Sequence, residues 1–295
     1  MLQFLTYLFI AIYTATVIGI ILVVILGNRN PLKTIPWVVV LIFAPVVGLV
    51  FYFFFGQDLR RKRIISRRTY KRLMVYALPA HVRRSDAPVP AACQSLSTLL
   101  TNTSQAVSFY GSRLTHYGDG ASKMTALLEE IEKARDHIHI LYYIFCDDET
   151  GARLQQALIR KAKEGVKVRV LYDDVGCNGV KKEFFQQMRD AGAEVHALLH
   201  VRFPMLTDRV NYRNHRKIVV IDNQTGYVGG FNIGREYISK DPKFGYWRDT
   251  HLKIQGGSVL SLQIRFALDW NYATGENLFK NMKYFCEEED GSCLE

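Results

Sequence analysis

The sequence predicts an α/β domain with a mixed sheet flanked by helices, preceded by a hairpin of two membrane-spanning helices. Two uncharged stretches, Phe4 to Leu26 and Pro36 to Phe55, predict the hairpin, because each approaches the roughly 20 residues needed to cross a hydrocarbon core. Farther along, apolar residues at helical spacing alternate with short β-branched runs, the pattern of successive strand–helix–strand units. A third observation places the chemistry: the segment Asn214-His215-Arg216-Lys217-Ile218-Val219-Val220-Ile221-Asp222 is followed by Gly229-Gly230-Phe231-Asn232.

The first span lacks the marks of a cleavable leader, since Met1-Leu2-Gln3 carries no positive side chain and Gly27-Asn28-Arg29 is no small-x-small site. Pro45 is tolerable in the second span, where neighbouring groups can satisfy the freed backbone atoms. Residues 56–84 then carry ten Lys/Arg against the single acid Asp58, whereas residues 27–35 hold only Arg29 and Lys33. The positive-inside rule places everything after Phe55, and the N-terminus, in the cytoplasm of a cell-membrane protein. The same collar holds nearly all of the formal net charge of +10. With no basic stripe interleaved with aromatics beyond it, nucleic acid is not the expected partner. The domains expected are a hairpin over 1–56, a basic juxtamembrane linker over 57–104, a catalytic half-domain over 105–275 and an acidic tail over 276–295.

Within the half-domain, Met124, Leu127, Leu128, Ile131 and Ala134 share one face of a helix over Ala121 to Arg135, entered from the turn Gly118-Asp119-Gly120. His137 to Phe145 reads as a strand, residues 152–164 as a helix stopped by Gly165, and Val166, Val168 and Val170 as a strand running into Tyr172-Asp173-Asp174. A helix over Lys181 to Ala191 stopped by Gly192 and a strand over Val195 to Leu199 follow. His215 to Ile221, Tyr227 to Gly230 and Thr250 to Gln255 add strands. A helix from Ser258 to about Tyr272 closes the domain. Ligands gather at strand ends in such sheets, so Asp173, Asp174 and the loop from His200 to Arg213 are expected site walls. His137, His139, His196 and His200 are placed on strand faces without chemistry.

On an extended strand His215 and Lys217 would point the same way about 7 Å apart, so both could face one anion. Neutral His215 could attack phosphorus in a phosphodiester while Lys217 and the Asn232 amide neutralise the phosphoryl oxygens. Asp222 serves either that site or the turn after Ile221, and Gly229 and Gly230 permit close backbone approach. One imidazole cannot be nucleophile and general acid in the same step, so a second histidine is required. His251-Leu252-Lys253 does not supply it, because the aspartate offset is occupied by Ser258, and this pair reads as strand. The chemistry needs no metal or cofactor, and no His/Cys cluster has ligand spacing. Five scattered cysteines, Cys93, Cys146, Cys177, Cys286 and Cys293, suit a reducing compartment as free thiols.

H-x-K-x4-D is the signature of the phospholipase D superfamily, and the chain resembles the N-terminal half of bacterial cardiolipin synthases. The resemblance rests on Lys33-Thr34-Ile35, Phe53-Phe54-Phe55-Gly56, Tyr142-Tyr143-Ile144-Phe145, Leu171-Tyr172-Asp173-Asp174-Val175-Gly176, Tyr212-Arg213-Asn214-His215-Arg216-Lys217, Gly229-Gly230-Phe231-Asn232-Ile233-Gly234 and Trp247-Arg248-Asp249-Thr250. It implies a phospholipase D-like sandwich condensing two phosphatidylglycerol molecules into cardiolipin with release of glycerol, through a phosphohistidine. It implies His215, Lys217 and Asp222 as the catalytic motif, Asn232 as a phosphate contact and Asp249 as the acid that orients an imidazole. Members of that family carry two such motifs, and this sequence carries one. The expectation is therefore a truncated product or a homodimer in which each copy supplies one His215. A homodimeric single-motif phosphodiesterase or nuclease, and an inactive half-protein, are the competing readings.

Overall fold

The computed structural model describes residues 2–26, 31–44, 47–48, 51–52, 66, 68–73, 89–104, 106–109, 111–201 and 213–285. Most of the basic collar, Pro45, the loop 202–212 and the acidic residues 286–295 thus lie outside the described residues. The chain divides into two compact units, residues 1–62 with 201–212 and residues 63–200 with 213–295.

In the first unit, α1 (Leu2–Leu26) follows the first expected span and α2 (Pro31–Phe43) starts ahead of the second, with Pro31 at its first position, where no backbone N–H is needed. Among the described residues no helix is long and apolar enough to cross a membrane.

The second unit is built on a seven-stranded sheet of β1 (Arg113–Tyr117), β2 (His137–Tyr142), β3 (Lys167–Asp173), β4 (Glu194–Leu198), β5 (Ile218–Ile221), β6 (Thr225–Gly229) and β7 (His251–Gln255), in the order β1-β7-β6-β5-β2-β3-β4. β2 with β3 and β3 with β4 pair in parallel, and the other pairs are antiparallel, so the sheet is mixed as expected. α3 (Gln94–Ser104) precedes it, α4 (Gly120–Lys133), α5 (Glu149–Lys163) and α6 (Lys182–Asp190) join successive strands from β1 to β4, and α7 (Val259–Thr274) follows β7.

Residues of α4, α5 and α6 form one apolar layer with the sheet, through Leu127, Ile131, Leu154, Leu158 and Phe185. α7 and the short helices Leu278–Lys280 and Met282–Phe285 form the other, through Ile264, Phe266, Trp270, Phe279 and Phe285. A sheet covered on both faces buries continuous runs, and β2 and β5 are buried at every position. The packed fold therefore continues past residue 275 to Phe285, since Leu278, Phe279, Tyr284 and Phe285 are core residues.

Helix entries carry aspartate caps: Asp119 accepts from the Ser122 amide at 2.8 Å and Asp148 from the Gly151 amide at 3.0 Å. The Asp148 cap starts α5 three residues earlier than residue 152. Gly165, at φ +91°, ends it as expected.

Three strand readings change, the first being β2, which ends at Tyr142 where a strand through Phe145 was expected. β1 was not expected, and its Arg-Leu-Thr-His-Tyr sequence becomes strand by pairing with β7. β5 begins at Ile218 and not at His215, because Arg213–Lys217 is irregular chain held by side-chain bonds. His200 also lies beyond β4, pairing its ring with Asp174 at 3.0 Å, while His137, His139 and His196 lie on strands.

Candidate active site

The strand registers bring four segments to one edge of the sheet. Leu141 near the end of β2 faces Ile218 at the start of β5, which faces Val228 near the end of β6, and Gly229 faces His251 at the start of β7. The chain leaving β2 (Tyr143), entering β5 (His215, Lys217), leaving β6 (Gly230, Asn232) and entering β7 (Asp249) therefore converges there.

His215 is exposed, and its ring stacks on Tyr143 with centroids 3.8 Å apart. Lys217 is buried, donates from Nζ to the His215 carbonyl at 2.8 Å, and sits 5.5 Å from the centre of the same Tyr143 ring. The two groups thus converge on Tyr143 from irregular chain, where strand alternation was the expected cause. Burial, and then the Lys217 cation, lower the pKa of His215, with Asp173 opposing. Burial lowers that of Lys217, opposed by Asp249. A neutral imidazole beside a cation held by geometry is the pairing that nucleophilic attack on an anion requires.

The buried Asp173 carboxylate accepts from Arg213 Nε at 3.0 and 3.1 Å, from the Asn214 amide at 3.2 Å and from the Val175 and Gly176 amides at 3.1 and 3.0 Å. Asp173, expected as a site wall, is the clamp that fixes the approach to His215. The Asn214 side chain adds a bond to buried Asp269 at 3.2 Å.

Asn232 accepts from the Ile144 amide at 3.1 Å and hydrogen-bonds the side chain of Tyr237, so it ties the segment after β2 to the loop after β6. The glycine pair permits close approach, but to the protein's own chain. A Cβ on Gly229 would lie 2.5 Å from the His251 Cα, and one on Gly230 would lie 2.0 Å from an Asp249 carboxylate oxygen.

Asp222 is not brought to this edge. It follows β5 at the end opposite His215, beyond a four-residue strand about 13 Å long. At φ +51° its carboxylate accepts from the amides of Arg135, Asp136 and His137 at 2.8, 2.9 and 2.8 Å. Of the two roles open to it from sequence, the geometry assigns the turn.

His251 and Lys123 were not foreseen as neighbours of the site. His251 is fully buried, neither ring nitrogen has a hydrogen-bond partner, and burial aided by Lys123 and Lys217 drives its pKa down to about 2. Lys123, buried on α4, donates to the Tyr142 hydroxyl at 2.7 Å, and burial lowers it to about 7. Lys253 turns to Glu130 at 3.1 Å. An imidazole sealed from solvent cannot deliver a proton to a substrate, so His251 is not the second histidine. Tyr143 could have been singled out only from its place in Tyr142-Tyr143-Ile144-Phe145, since no local pattern marks it as a ring platform.

A cavity of about 680 Å³ opens beside the ends of β3 and β4, lined among others by Tyr172, Asp174, Cys177, Arg189 and His200; neither His215 nor Lys217 borders it. Among the described residues no cluster has the makings of a metal site, and Cys93, Cys146 and Cys177 are free thiols.

The family described as cardiolipin synthase, PLD-like domain, matches residues 127–242, and one described as phospholipase D-nuclease N-terminal matches residues 14–57. The major cardiolipin synthase ClsA of Bacillus subtilis (strain 168) is 42% identical over 262 residues, covering 86% of this chain and 54% of that protein. A cardiolipin synthase of Oceanobacillus iheyensis is 39% identical over 271 residues, covering 89% of this chain and 56% of that protein. The chain spans about half the length of these curated relatives. Among solved structures, NucT from Helicobacter pylori is similar with a TM-score of 0.44 at 17% identity, covering 55% of this chain and 98% of that one.

Proposed function

Residues 127–242 belong with the phospholipase D-like domains of cardiolipin synthases, and on that premise we propose that this chain is a phosphatidyltransferase forming cardiolipin from two phosphatidylglycerol molecules. His215 attacks phosphorus through a ring nitrogen, and the bond from phosphorus to the head-group glycerol oxygen breaks. Glycerol leaves after taking a proton from a second histidine. The hydroxyl of another phosphatidylglycerol then attacks the phosphohistidine, returning that proton as the phosphorus–nitrogen bond breaks. Lys217 neutralises the phosphoryl oxygens, assisted by Asn232. Asp249 sets the charge around Lys217, and Asp173 is a positioning residue, while Asp222 holds the turn at the start of β2. The observation that carries this reading is neutral-leaning His215 stacked on Tyr143 beside Lys217.

The second histidine comes from another half-site, on a second copy or a further domain. The two uncharged N-terminal stretches hold the protein in the cell membrane with the catalytic part in the cytoplasm. Phosphatidylglycerol supplied to the detergent-purified full chain should yield cardiolipin and glycerol in equal amounts, and His215→Ala should abolish both. No product under conditions where a two-motif enzyme works would sink the proposal for this chain. Nuclease activity lost in His215→Ala would favour the phosphodiesterase reading instead.

A further inference from the structure

The loop that starts after Asn232 and ends at Asp249 forms the rim of the site, and it is tightly organised. The Lys240 amide donates to the Arg235 carbonyl at 3.0 Å, the Gly245 amide to the Asp241 carbonyl at 3.0 Å and the Trp247 amide to Ser239 Oγ at 3.0 Å. Arg235 pairs with Asp241 at 3.0 Å. Trp247 packs edge-on against Tyr237 and Phe244, with centroids 5.0 and 5.8 Å away.

An internally bonded loop could have folded its rings inward, yet Tyr246 is 74% exposed and Phe244 46%. These residues lie in Lys243-Phe244-Gly245-Tyr246-Trp247-Arg248, three aromatics and two cations without a carboxylate. Lys243 places its ammonium 5.5 Å from the centre of the Phe244 ring. The neighbouring acids are engaged elsewhere, Asp241 by Arg235 and the Lys243 amide, and Asp249 by the Thr250 amide.

Aromatic rings with a polar edge favour the head-group level of a bilayer, and basic residues are drawn to an anionic leaflet. We infer that Lys243–Arg248 is a membrane-contact rim that docks on a bilayer surface containing anionic phospholipid, with Tyr246 among the head groups and the apolar Phe244 ring at the acyl boundary beneath them. Because the rim ends at Asp249, docking sets the sheet edge carrying Lys217 and His215 against the lipid head groups. This consequence rests on the phospholipid-substrate reading; the docking itself does not.

The test uses the full chain reconstituted in vesicles, with an environment-sensitive fluorescent amino acid at position 246. Phosphatidylglycerol vesicles with bromine near the head-group end of the acyl chains should quench it, and phosphatidylcholine vesicles should quench it several-fold less. Lys243→Glu with Arg248→Glu should remove most of the quenching. A second arm uses Lys243→Ser, Phe244→Ser and Tyr246→Ser together. Turnover of bilayer phosphatidylglycerol should fall about tenfold, the scale set by losing one cation and two rings from an interface. Turnover of monomeric short-chain phosphatidylglycerol should stay within about twofold. A fluorophore left unquenched by brominated phosphatidylglycerol overturns the inference. So does one shielded from aqueous iodide without lipid quenching, which would mark contact between protein copies, or an equal loss on both substrates. If the unaltered chain turns over neither substrate, the activity proposal fails while the quenching still decides this one.

Discussion

The imidazole of His215 lies nearly parallel to the phenol ring of Tyr143, with centroids 3.8 Å and planes 22° apart. A stacked pair of this kind is worth about 0.5–1.5 kcal/mol, so the ring is a platform that keeps the exposed His215 imidazole in one orientation. Tyr143→Phe keeps the platform and should hold kcat within about twofold, whereas Tyr143→Ala should lower it up to about tenfold with little change in KM. Steady-state kinetics on phosphatidylglycerol in mixed micelles measure this. Equal losses in both variants would point to the hydroxyl instead.

The proposed attack requires His215 without its proton, and burial and Lys217 lower its pKa from the ordinary value of 6.5. The acid limb of the rate profile should therefore lie below pH 6.5. Lys217→Met removes the repelling cation, so the His215 pKa should rise toward its ordinary value. NMR titration of the His215 ring in both proteins reads the shift directly. An unchanged or lower value in the variant would contradict the assignment.

His251 makes stability fall in acid. In the unfolded chain it takes a proton near pH 6.5, whereas in the fold its pKa is about 2. The unfolded state thus binds more protons between these limits, and stability is lost as pH falls through that window, by at most about 1.4 kcal/mol per unit. Buried His139, also pushed well below its ordinary value by burial, acts in the same direction. His251→Phe should shrink the drop in Tm between pH 7 and pH 5 without abolishing it. The same drop in variant and parent would rule out His251 as a contributor.

Asp222 holds three backbone amides at the start of β2. Asp222→Ala should cost about 2–4 kcal/mol, the overlapping loss of three bonds to a charged acceptor. Asp222→Asn should cost less, because asparagine tolerates the positive φ and still accepts. Denaturant unfolding gives the stability change, and activity per folded molecule should fall far less than in His215→Ala. Loss of turnover at full stability would return Asp222 to the chemistry.

The amphipathic helices α4 to α7 were legible because their buried residues recur at helical spacing, as Leu127 and Ile131 do in α4 and Ile264 and Leu268 in α7. β2 and β3 were legible from alternation, Ile138 with Ile140 and Val168 with Val170, and β5 as an apolar run. β1 was not, since Arg113-Leu114-Thr115-His116-Tyr117 has no apolar pattern, and only β7 beside it makes it a strand. The acidic-tail boundary was misplaced for a related reason. Leu278, Phe279, Tyr284 and Phe285 are buried as two adjacent pairs and form neither an alternating strand nor a continuous helix face, so their burial follows from the α7 face that they cover.

By itself the sequence determined the motif and its electrostatic character: one histidine and one lysine two residues apart, a short apolar strand, and the aspartate that follows. Local spacing sets these, and the phosphodiester chemistry that we propose starts from them. Tertiary structure alone decided who meets whom. The antiparallel pairing of β2 with β5 carries Tyr143 to His215 at one end of the strand and puts Asp222 against His137 at the other. Buried Asp173, 41 residues before Asn214, holds Arg213 and Asn214 in irregular chain just ahead of β5, where the sequence favours a strand from His215. Neither relation has a local signal, because each depends on strand register, which side-chain packing across the whole sheet selects.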